Sequence, residues 1–195
     1  MVKAQGKKRR VKTTIRKGKK KWFTAIAPEL FNKQELGDVT AFEPKNLLGR
    51  VLNINMMAIT RSPRDQSKKM IFKIIDVKGD QAITEAKKYY LLDSYVQRIS
   101  RRYKSRFNPV FYVKTKDDQK LKVKGYILLN NKVPVTLRSK LIAGVKESLT
   151  KKFAKQPISL AFDPMFLAKI SDEVKKEHKK LYPVSKVYIW KLSRV

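Results

Sequence analysis

The sequence predicts an α+β fold in which a mostly antiparallel sheet packs against about three helices. Apolar and polar residues alternate on both sides of a short turn in residues 70–87 and 111–127, as in two hairpins, and along several single stretches. Three other segments, residues 93–99, 136–149 and 164–181, repeat apolar residues every three or four positions, as helices do. This combination of elements is typical of an α+β domain.

The chain begins with a basic segment. Residues 1–21 contain 11 Lys and Arg and no acidic residue. Such a segment buries too little apolar surface to offset the entropy of ordering, so we expect a disordered arm that becomes ordered on a nucleic-acid backbone. A nuclear-import signal and a solubilising tail are the alternatives. Trp22 and Phe23 are expected to anchor the arm to a single globular domain, residues 22–195.

The first half of this domain is predicted to consist of strands. The segment that starts at Trp22 predicts a strand that ends in a turn at Pro28, and residues 38–42 and 50–56 predict two more. The first hairpin turns around Gly79, because glycine adopts the positive φ angle that such a turn requires.

A short helix and a basic cluster occupy the middle of the chain. Asp93 or Ser94 is the expected N-cap of the helix, which carries apolar side chains at helical spacing. The helix leads into five basic residues: Arg98, Arg101, Arg102, Lys104 and Arg106. No acidic residue occurs between Asp93 and Asp117, and the Pro109 region ends the cluster.

The second hairpin has an apolar face and a lysine face. A three-residue loop, residues 117–119, pairs Thr115 with Leu121 and Val113 with Val123, which keeps the apolar residues on one face. This register places four lysines in adjacent rows on the other face: Lys114, Lys116, Lys120 and Lys122. Like charges directly opposite each other destabilise a sheet by a few tenths of a kcal/mol per pair, so we expect this face to bind a polyanion, with solubility as the alternative.

Two helices and a strand complete the predicted domain. Thr136 is the expected N-cap of the first helix, and Asp163 followed by Pro164 is a typical start for the second, which Pro183 ends. Their apolar stripes are Leu137, Leu141, Val145 and Leu149 in the first helix, and Phe166, Ile170, Val174 and Leu181 in the second. Residues 184–192 predict the last strand.

The charge of the chain narrows the class of partner. Its 195 residues include 47 Lys and Arg against 16 Asp and Glu, a net charge of +31. Repulsion on this scale opposes the compact state unless an anion binds, and nucleic acid is the leading candidate, ahead of an anionic membrane and an acidic protein. No apolar run approaches the roughly 20 residues that span a bilayer. The absence of cysteine suits a reducing compartment.

The sequence offers little chemistry for catalysis. The single histidine, His178, lies in a lysine-rich helix end, where we expect it to be exposed. The acidic pairs Asp117-Asp118 and Asp172-Glu173 lack metal-ligand partners at a suitable spacing, and no glycine-rich phosphate loop occurs. We therefore expect no enzyme, no metal and no cofactor. The signatures of sequence-reading RNA modules are also missing, which favours broad backbone binding to folded RNA.

The order of motifs resembles a ribosomal protein family shared by archaea and eukaryotes, the small-subunit family S-three-a-e. The similar segments cover residues 19–192 and read KKKWFTAIAPELFN, LLGRVLNIN, DSYVQRISRRYKSR, VFYVKTKDDQKLKVKGY and LYPVSKVYI. Two departures from the family pattern occur. Asp118 stands where the family usually has glycine at the hairpin tip, and residues 154–163 match poorly.

The resemblance implies a barrel-like, curled sheet with flanking helices, in a structural protein of the small-subunit platform near the messenger exit. It implies ribosomal RNA and neighbouring ribosomal proteins as partners in the cytoplasm, leaves messenger RNA open as a further partner, and implies neither a membrane nor a second copy of the chain. The alternative is a non-ribosomal nucleic-acid binder, such as a chromatin or assembly factor. With the hairpin lysines, the expected RNA contacts are Lys7, Lys8, Arg9, Arg10, Lys12, Arg16, Lys17, Lys19, Lys20, Lys21, Arg98, Arg101, Arg102, Lys104, Arg106, Lys120 and Lys122.

Overall fold

The computed structural model describes residues 18–100, 105–179 and 182–195. The strands are β1 (Lys21–Ile26), β2 (Glu35–Ala41), β3 (Val51–Asn55), β4 (Lys68–Lys78), β5 (Gln81–Leu91), β6 (Arg106–Phe107), β7 (Val110–Lys114), β8 (Lys120–Leu129) and β9 (Val184–Arg194). The helices are α1 (Met56–Thr60), α2 (Asp93–Ile99), α3 (Val135–Ala154), α4 (Ile158–Ala161) and α5 (Pro164–Lys179).

The strands form one mixed sheet. Its backbone order is β3-β4-β5-β9-β8-β7, all antiparallel, and β6 pairs with β8 beyond the end of β7. The β1-β2 hairpin joins this sheet through a short parallel pairing of β1 with the first residues of β5. The predicted α+β class and the mostly antiparallel sheet are therefore confirmed.

The sheet is not closed, and the barrel-like, curled shape that the family resemblance implied is not confirmed. β5 is long enough to pair with β1 at its start, through Gln81 to Ile83, and with β9 at its end, through Lys88 to Tyr90. The sheet forks at β5 because two different strands share one of its edges. β2 and β3 consequently remain edge strands in the described part of the chain.

The β7-β8 hairpin has the predicted faces but a different register. Val113 pairs with Leu121 and Phe111 with Val123, so the loop is Lys116-Asp117-Asp118 rather than residues 117–119. The Thr115 amide donates to the Gln119 carbonyl at 3.0 Å and closes this turn one residue earlier than predicted. The predicted and observed registers differ by two positions. Since side chains alternate between the faces with a period of two, both registers keep the apolar residues on one face.

At the hairpin tip, where the family usually has glycine, Asp118 adopts the backbone conformation that the turn requires. Asp118 has a φ angle of 54°, in the left-handed region that aspartate visits more readily than most residues. The turn is also held from the side, since the Ile158 amide donates to the Asp117 carboxylate at 2.8 Å and the Lys116 amide to the Gln156 carbonyl at 3.2 Å. These contacts define the course of residues 154–163, where the resemblance was poorest.

Helices α3 and α5 cover one face of the sheet, which we call the inner face. Leu141, Val145, Leu149 and Phe153 of α3 are buried in the same cluster as the apolar residues of β7, β8 and β9. The buried stripe of α5 is Leu167, Ile170, Val174 and His178, while Phe166 is only partly buried and Leu181 lies outside the described residues. Asp163 accepts a hydrogen bond from the Met165 amide at 3.0 Å, as expected for the residue that begins α5.

Three local predictions at the ends of elements are wrong. α2 begins after Leu92, with no side-chain cap from Asp93 or Ser94, and α3 begins after Pro134, one residue before Thr136. Proline fits this N-cap position, where φ is −62° and ψ is 154°, because its ring fixes φ near that value and it has no amide hydrogen to leave unpaired. Trp22 is 69% exposed, so that only Phe23 of the predicted anchor is buried.

The described residues contain five helices, whereas about three were expected. The additional ones, α1 and α4, are single turns of five and four residues. Asn55 caps α1 by accepting a hydrogen bond from the Met57 amide at 3.1 Å. Such short helices carry too few residues for a periodic pattern, and so they escape detection in the sequence.

His178 is buried, and the expectation that it is exposed is wrong. Its imidazole Nε2 lies 3.1 Å from the Ser148 hydroxyl, and its ring packs where a side chain on Gly144 would stand: an added Cβ would lie 2.8 Å from the His178 Cε1 atom. Beside it, the Lys152 ammonium bridges Glu173 at 2.7 Å and Glu177 at 2.9 Å. The hydrogen bond from Lys152 holds the pKa of Glu177 below its ordinary value. His178 therefore belongs to the α3-α5 interface.

Candidate nucleic-acid interface

The other face of the sheet, the outer face, carries lysines from five strands, in rows that cross six strands. One row runs through directly paired residues of β3, β4, β5, β9, β8 and β7: Asn53, Ile71, Lys88, Ser193, Lys122 and Tyr112. The next row, two residues along each strand, is Asn55, Lys69, Tyr90, Lys191, Lys124 and Val110. Lys114 and Lys120 pair beyond the first row.

We call this surface the lysine face. It is defined by Lys69, Lys88, Lys114, Lys120, Lys122, Lys124 and Lys191. Lys114 lies directly opposite Lys120, and Lys124 directly opposite Lys191. Each such pair costs a few tenths of a kcal/mol in the free protein, because like charges meet across neighbouring strands.

Few acidic groups neutralise the lysine face. Glu85 on β5 is bound by Arg194, and Asp93 on α2 lies 3.3 Å from the Lys191 ammonium. Across residues 18–100, 105–179 and 182–195, no ion pair reaches the lysines of β7 and β8, which are Lys114, Lys120, Lys122 and Lys124. The hairpin side of the face is thus a field of uncompensated positive charge.

Aromatic rings are interleaved with these lysines. The Lys122 ammonium lies 5.3 Å from the centroid of the Tyr112 ring, the Lys88 ammonium 5.6 Å from that of Tyr90, and the Lys191 ammonium 4.5 Å from that of Trp190. Cation–π attraction orients each lysine without neutralising its charge. The arrangement of rings and ammonium groups is one that nucleic-acid-binding surfaces use, since phosphates and bases each find a partner.

Helix α2 covers one end of the outer face. Val96 packs in a cluster with Leu91, Tyr126 and Leu128, and Tyr188 lies partly buried beside it. Burial raises the pKa of Tyr188, and its hydroxyl oxygen lies 3.5 Å from that of Tyr95. The helix is thus fixed to the sheet by apolar contacts, by the Tyr95–Tyr188 hydroxyl pair and by Asp93, which accepts a hydrogen bond from the Trp190 indole at 3.2 Å.

Two predicted arginines, one on α2 and one on β6, lie at this end of the outer face. Arg98 is exposed and lies over the Tyr95 ring, with its guanidinium carbon 5.2 Å from the centroid. Arg106 is also exposed, pairs with Leu128 on the outer face, and donates a hydrogen bond to the Ser100 hydroxyl. Three members of the predicted basic cluster, Arg101, Arg102 and Lys104, lie outside the described residues.

The predicted contacts of the arm are only partly within the structure. Lys7, Lys8, Arg9, Arg10, Lys12, Arg16 and Lys17 lie outside the described residues. Lys19, Lys20 and Lys21 are exposed at the start of β1, and the Lys20 ammonium lies 5.6 Å from the Phe42 ring centroid. β1 pairs with the beginning of β5, whereas the lysine face includes its end. The structure does not bring these three lysines onto the lysine face.

Sequence reasoning found the hairpin lysines and missed their partners across the sheet. Lys69, Lys88 and Lys191 join Lys120 and Lys122 only because β9 lies between β5 and β8, whereas Lys124 follows them on β8 itself. The alternation within each strand does place these lysines away from the core, which is a usable signal for the face they occupy. The order of the strands is not encoded in that alternation.

The described residues contain neither a cluster of metal ligands nor a membrane-spanning helix. Among them, no three His, Cys, Asp or Glu side chains come together as ligands for a metal ion. No helix in the described ranges combines the length and apolar character that crossing a membrane requires.

Comparison with known proteins identifies the family. The sequence profile of the ribosomal S3Ae family matches residues 6–195. The chain belongs to the ribosomal S3Ae family. The match includes residues 6–21 of the basic arm and all of the elements described above, and it confirms the family named from the sequence motifs.

Individual S3Ae relatives support this assignment. The chain is 30% identical over 175 residues to the small ribosomal subunit protein eS1 of Archaeoglobus fulgidus, covering 89% of this chain and 83% of the relative. It is 28% identical over 172 residues to the protein of the same name in Desulfurococcus amylolyticus, covering 88% and 81%. The eS1 protein of Nanoarchaeum equitans is 30% identical over 169 residues, covering 85% and 83%.

Proposed function

We propose that the protein is a structural constituent of the small ribosomal subunit that binds ribosomal RNA through the lysine face. Its S3Ae membership and the name of its relatives, small ribosomal subunit protein eS1, support the ribosomal role. The main observation in support of this RNA-binding surface is that lysines lie opposite lysines across β7, β8 and β9. The lysines of the β7-β8 hairpin have no acidic partner among the described residues.

The physical basis is the release of counterions from RNA. Each phosphate that a lysine or arginine neutralises releases condensed cations, which strengthens binding at low salt and makes it strongly dependent on salt. Repulsion between Lys114 and Lys120, and between Lys124 and Lys191, is relieved at the same time. Binding is therefore favoured both by the attraction between lysines and phosphates and by the relief of the repulsion between lysines that exists in the free protein.

The same function gives roles to the other basic segments. The arm, with 11 basic residues and no acidic residue in positions 1–21, would follow the RNA backbone away from the sheet. Arg98 and Arg106 would extend the lysine face at its α2 end, where planar guanidinium groups can hold a phosphate by two hydrogen bonds. Arg101, Arg102 and Lys104 join them in sequence.

We place the protein in the cytoplasm, on the platform of the small subunit near the messenger exit, as the family resemblance implies. In this position neighbouring ribosomal proteins would cover apolar side chains exposed on the free chain, among them Trp22 and Met165. Messenger RNA would pass close enough to be an additional partner. The role is structural rather than enzymatic.

Co-sedimentation tests this function. Tagged full-length chain should sediment with small subunits in moderate salt and leave them in high salt, with log K for RNA falling against log salt at a slope of about −7 for roughly eight phosphate contacts. A chain that remains in the soluble fraction and binds DNA equally well would instead be a chromatin or assembly factor. A slope shallower than about −2 would contradict an interface built on phosphates.

A further inference from the structure

Tyr112 differs from the other aromatic residues of the outer face. It is 60% exposed in the middle of β7, and within the described part of the chain its hydroxyl makes no hydrogen bond. The Tyr90 hydroxyl accepts a hydrogen bond from the Asn53 amide at 2.8 Å, and the Trp190 indole donates to Asp93 at 3.2 Å. Those two rings are used inside the protein, whereas the Tyr112 ring faces solvent.

Tyr112 is surrounded by lysines that can bind an anion. Its ring is approached by the Lys122 ammonium at 5.3 Å, and the next outward pair along the hairpin is Lys114 with Lys120. Residues two apart on a strand are separated by about 7 Å, so this lysine pair lies beside the ring on the same face. One nucleotide can bridge such a gap, with its base at the ring and its phosphate between the lysines.

We propose that Tyr112 is a stacking site for an unpaired RNA base, with Lys114 and Lys120 binding the adjacent phosphate. A base has an aromatic face that stacks on a tyrosine ring whatever its identity. A duplex keeps its bases stacked inside and presents mainly phosphates to this sheet, so the ring gains nothing from duplex RNA. The site thus selects loops, bulges or single-stranded ends within a folded RNA.

This inference rests on the proposed function and refines it, since it specifies the RNA that one part of the lysine face binds. Rows of lysines alone would bind duplex and single-stranded RNA equally. The exposed Tyr112 ring is the feature that favours single-stranded RNA. It lies on β7, an edge strand of the sheet, where RNA can approach without a clash with a neighbouring β-strand.

The test compares two probes on the full chain: a single-stranded RNA decamer and a ten-base-pair RNA duplex. Tyr112→Ala should weaken binding of the single strand by about 5- to 150-fold, the range seen when a stacking aromatic is truncated, and change duplex binding by less than about threefold. Tyr112→Phe retains the ring and should bind both probes as the unaltered chain does. Val110→Ala, an exposed apolar truncation on the same face of β7, is the matched control and should change neither.

Three outcomes would overturn the stacking site. These are an unchanged affinity of Tyr112→Ala for the single strand, an equal loss on the duplex, or a Tyr112→Phe variant as weak as Tyr112→Ala, which would make the hydroxyl the binding group. Each of these leaves the proposed function intact if the chain still sediments with small subunits. Loss of co-sedimentation by the unaltered chain would overturn both.

Discussion

Replacing four lysines of the β7-β8 hairpin by glutamine should weaken RNA binding about a thousandfold at 0.1 M salt. The substitutions are Lys114→Gln, Lys120→Gln, Lys122→Gln and Lys124→Gln. Each lost phosphate contact removes about 0.7 to 0.9 from the slope of log K against log salt, so four contacts flatten the slope by about 3 and remove about three decades of affinity. A filter-binding or anisotropy titration at several salt concentrations measures both quantities.

The same variant should be at least as stable as the unaltered chain. The opposed pairs Lys114–Lys120 and Lys124–Lys191 lose their repulsion, which raises the free energy of unfolding by up to about 1 kcal/mol. The matched control changes four exposed lysines of α3 and α5, Lys140, Lys146, Lys169 and Lys176, to glutamine. Both variants lose four charges, so an equal loss of affinity in the control would show that net charge, rather than the lysine face, binds the RNA.

Phe153→Ala should have the opposite profile, a large loss of stability with little change in RNA affinity. Phe153 is fully buried at the end of α3 and meets the ring of Phe166 edge to face, with centroids 6.1 Å apart. Truncation of such a side chain costs about 3 to 5 kcal/mol through lost apolar burial and the cavity left behind. Denaturant unfolding measures the loss, and RNA titration at low temperature measures the affinity of the protein that remains folded.

Val135→Ala is the control for this change. Val135 is 75% exposed in the first turn of the same helix, and its truncation should alter the free energy of unfolding by no more than about 0.5 kcal/mol. If Phe153→Ala binds RNA much more weakly while still folded, then α3 contributes to the RNA-binding surface. That result would contradict the division between an inner face for packing and an outer face for RNA.

The sequence predicted which face each hairpin residue occupies better than it predicted the pairing. Alternation with a period of two identifies the buried residues Val113 and Leu121, but it cannot distinguish registers that differ by two positions. The turn decides, through the left-handed conformation of Asp118 and the closing hydrogen bond between Thr115 and Gln119. Such turn geometry depends on a few local contacts that composition does not reveal.

His178 is a core residue that the charge of its neighbours made difficult to predict. The lysines around it in the sequence indicated an exposed position, yet it follows Ile170 and Val174 at intervals of four and continues their buried stripe. The helical spacing was the better guide, and Gly144 on the opposing helix leaves the space that the ring fills. The complementary glycine comes from a distant part of the chain, so sequence alone does not pair the two.

Only those residues of the candidate site that are close together in the sequence could be predicted as a group. The lysines of β8 and the arginines after α2 were visible as basic runs, whereas Lys88 and Lys191 join the site through long-range strand order. Local patterns fix the direction of a side chain within its element. The rows that cross the sheet depend on which elements meet, and that is decided by packing of the whole domain.

Photo-crosslinking from the lysine face within assembled small subunits tests the central claim most directly. A photoreactive amino acid at position 120, exposed beside Lys114, should form crosslinks to ribosomal RNA. The same group at position 151, on α3 where the native lysine is paired with Glu147 at 2.7 Å, should give crosslinks to protein or none. Crosslinks to RNA from position 151 together with protein-only crosslinks from position 120 would show that the RNA lies on the helical side, and would contradict the account.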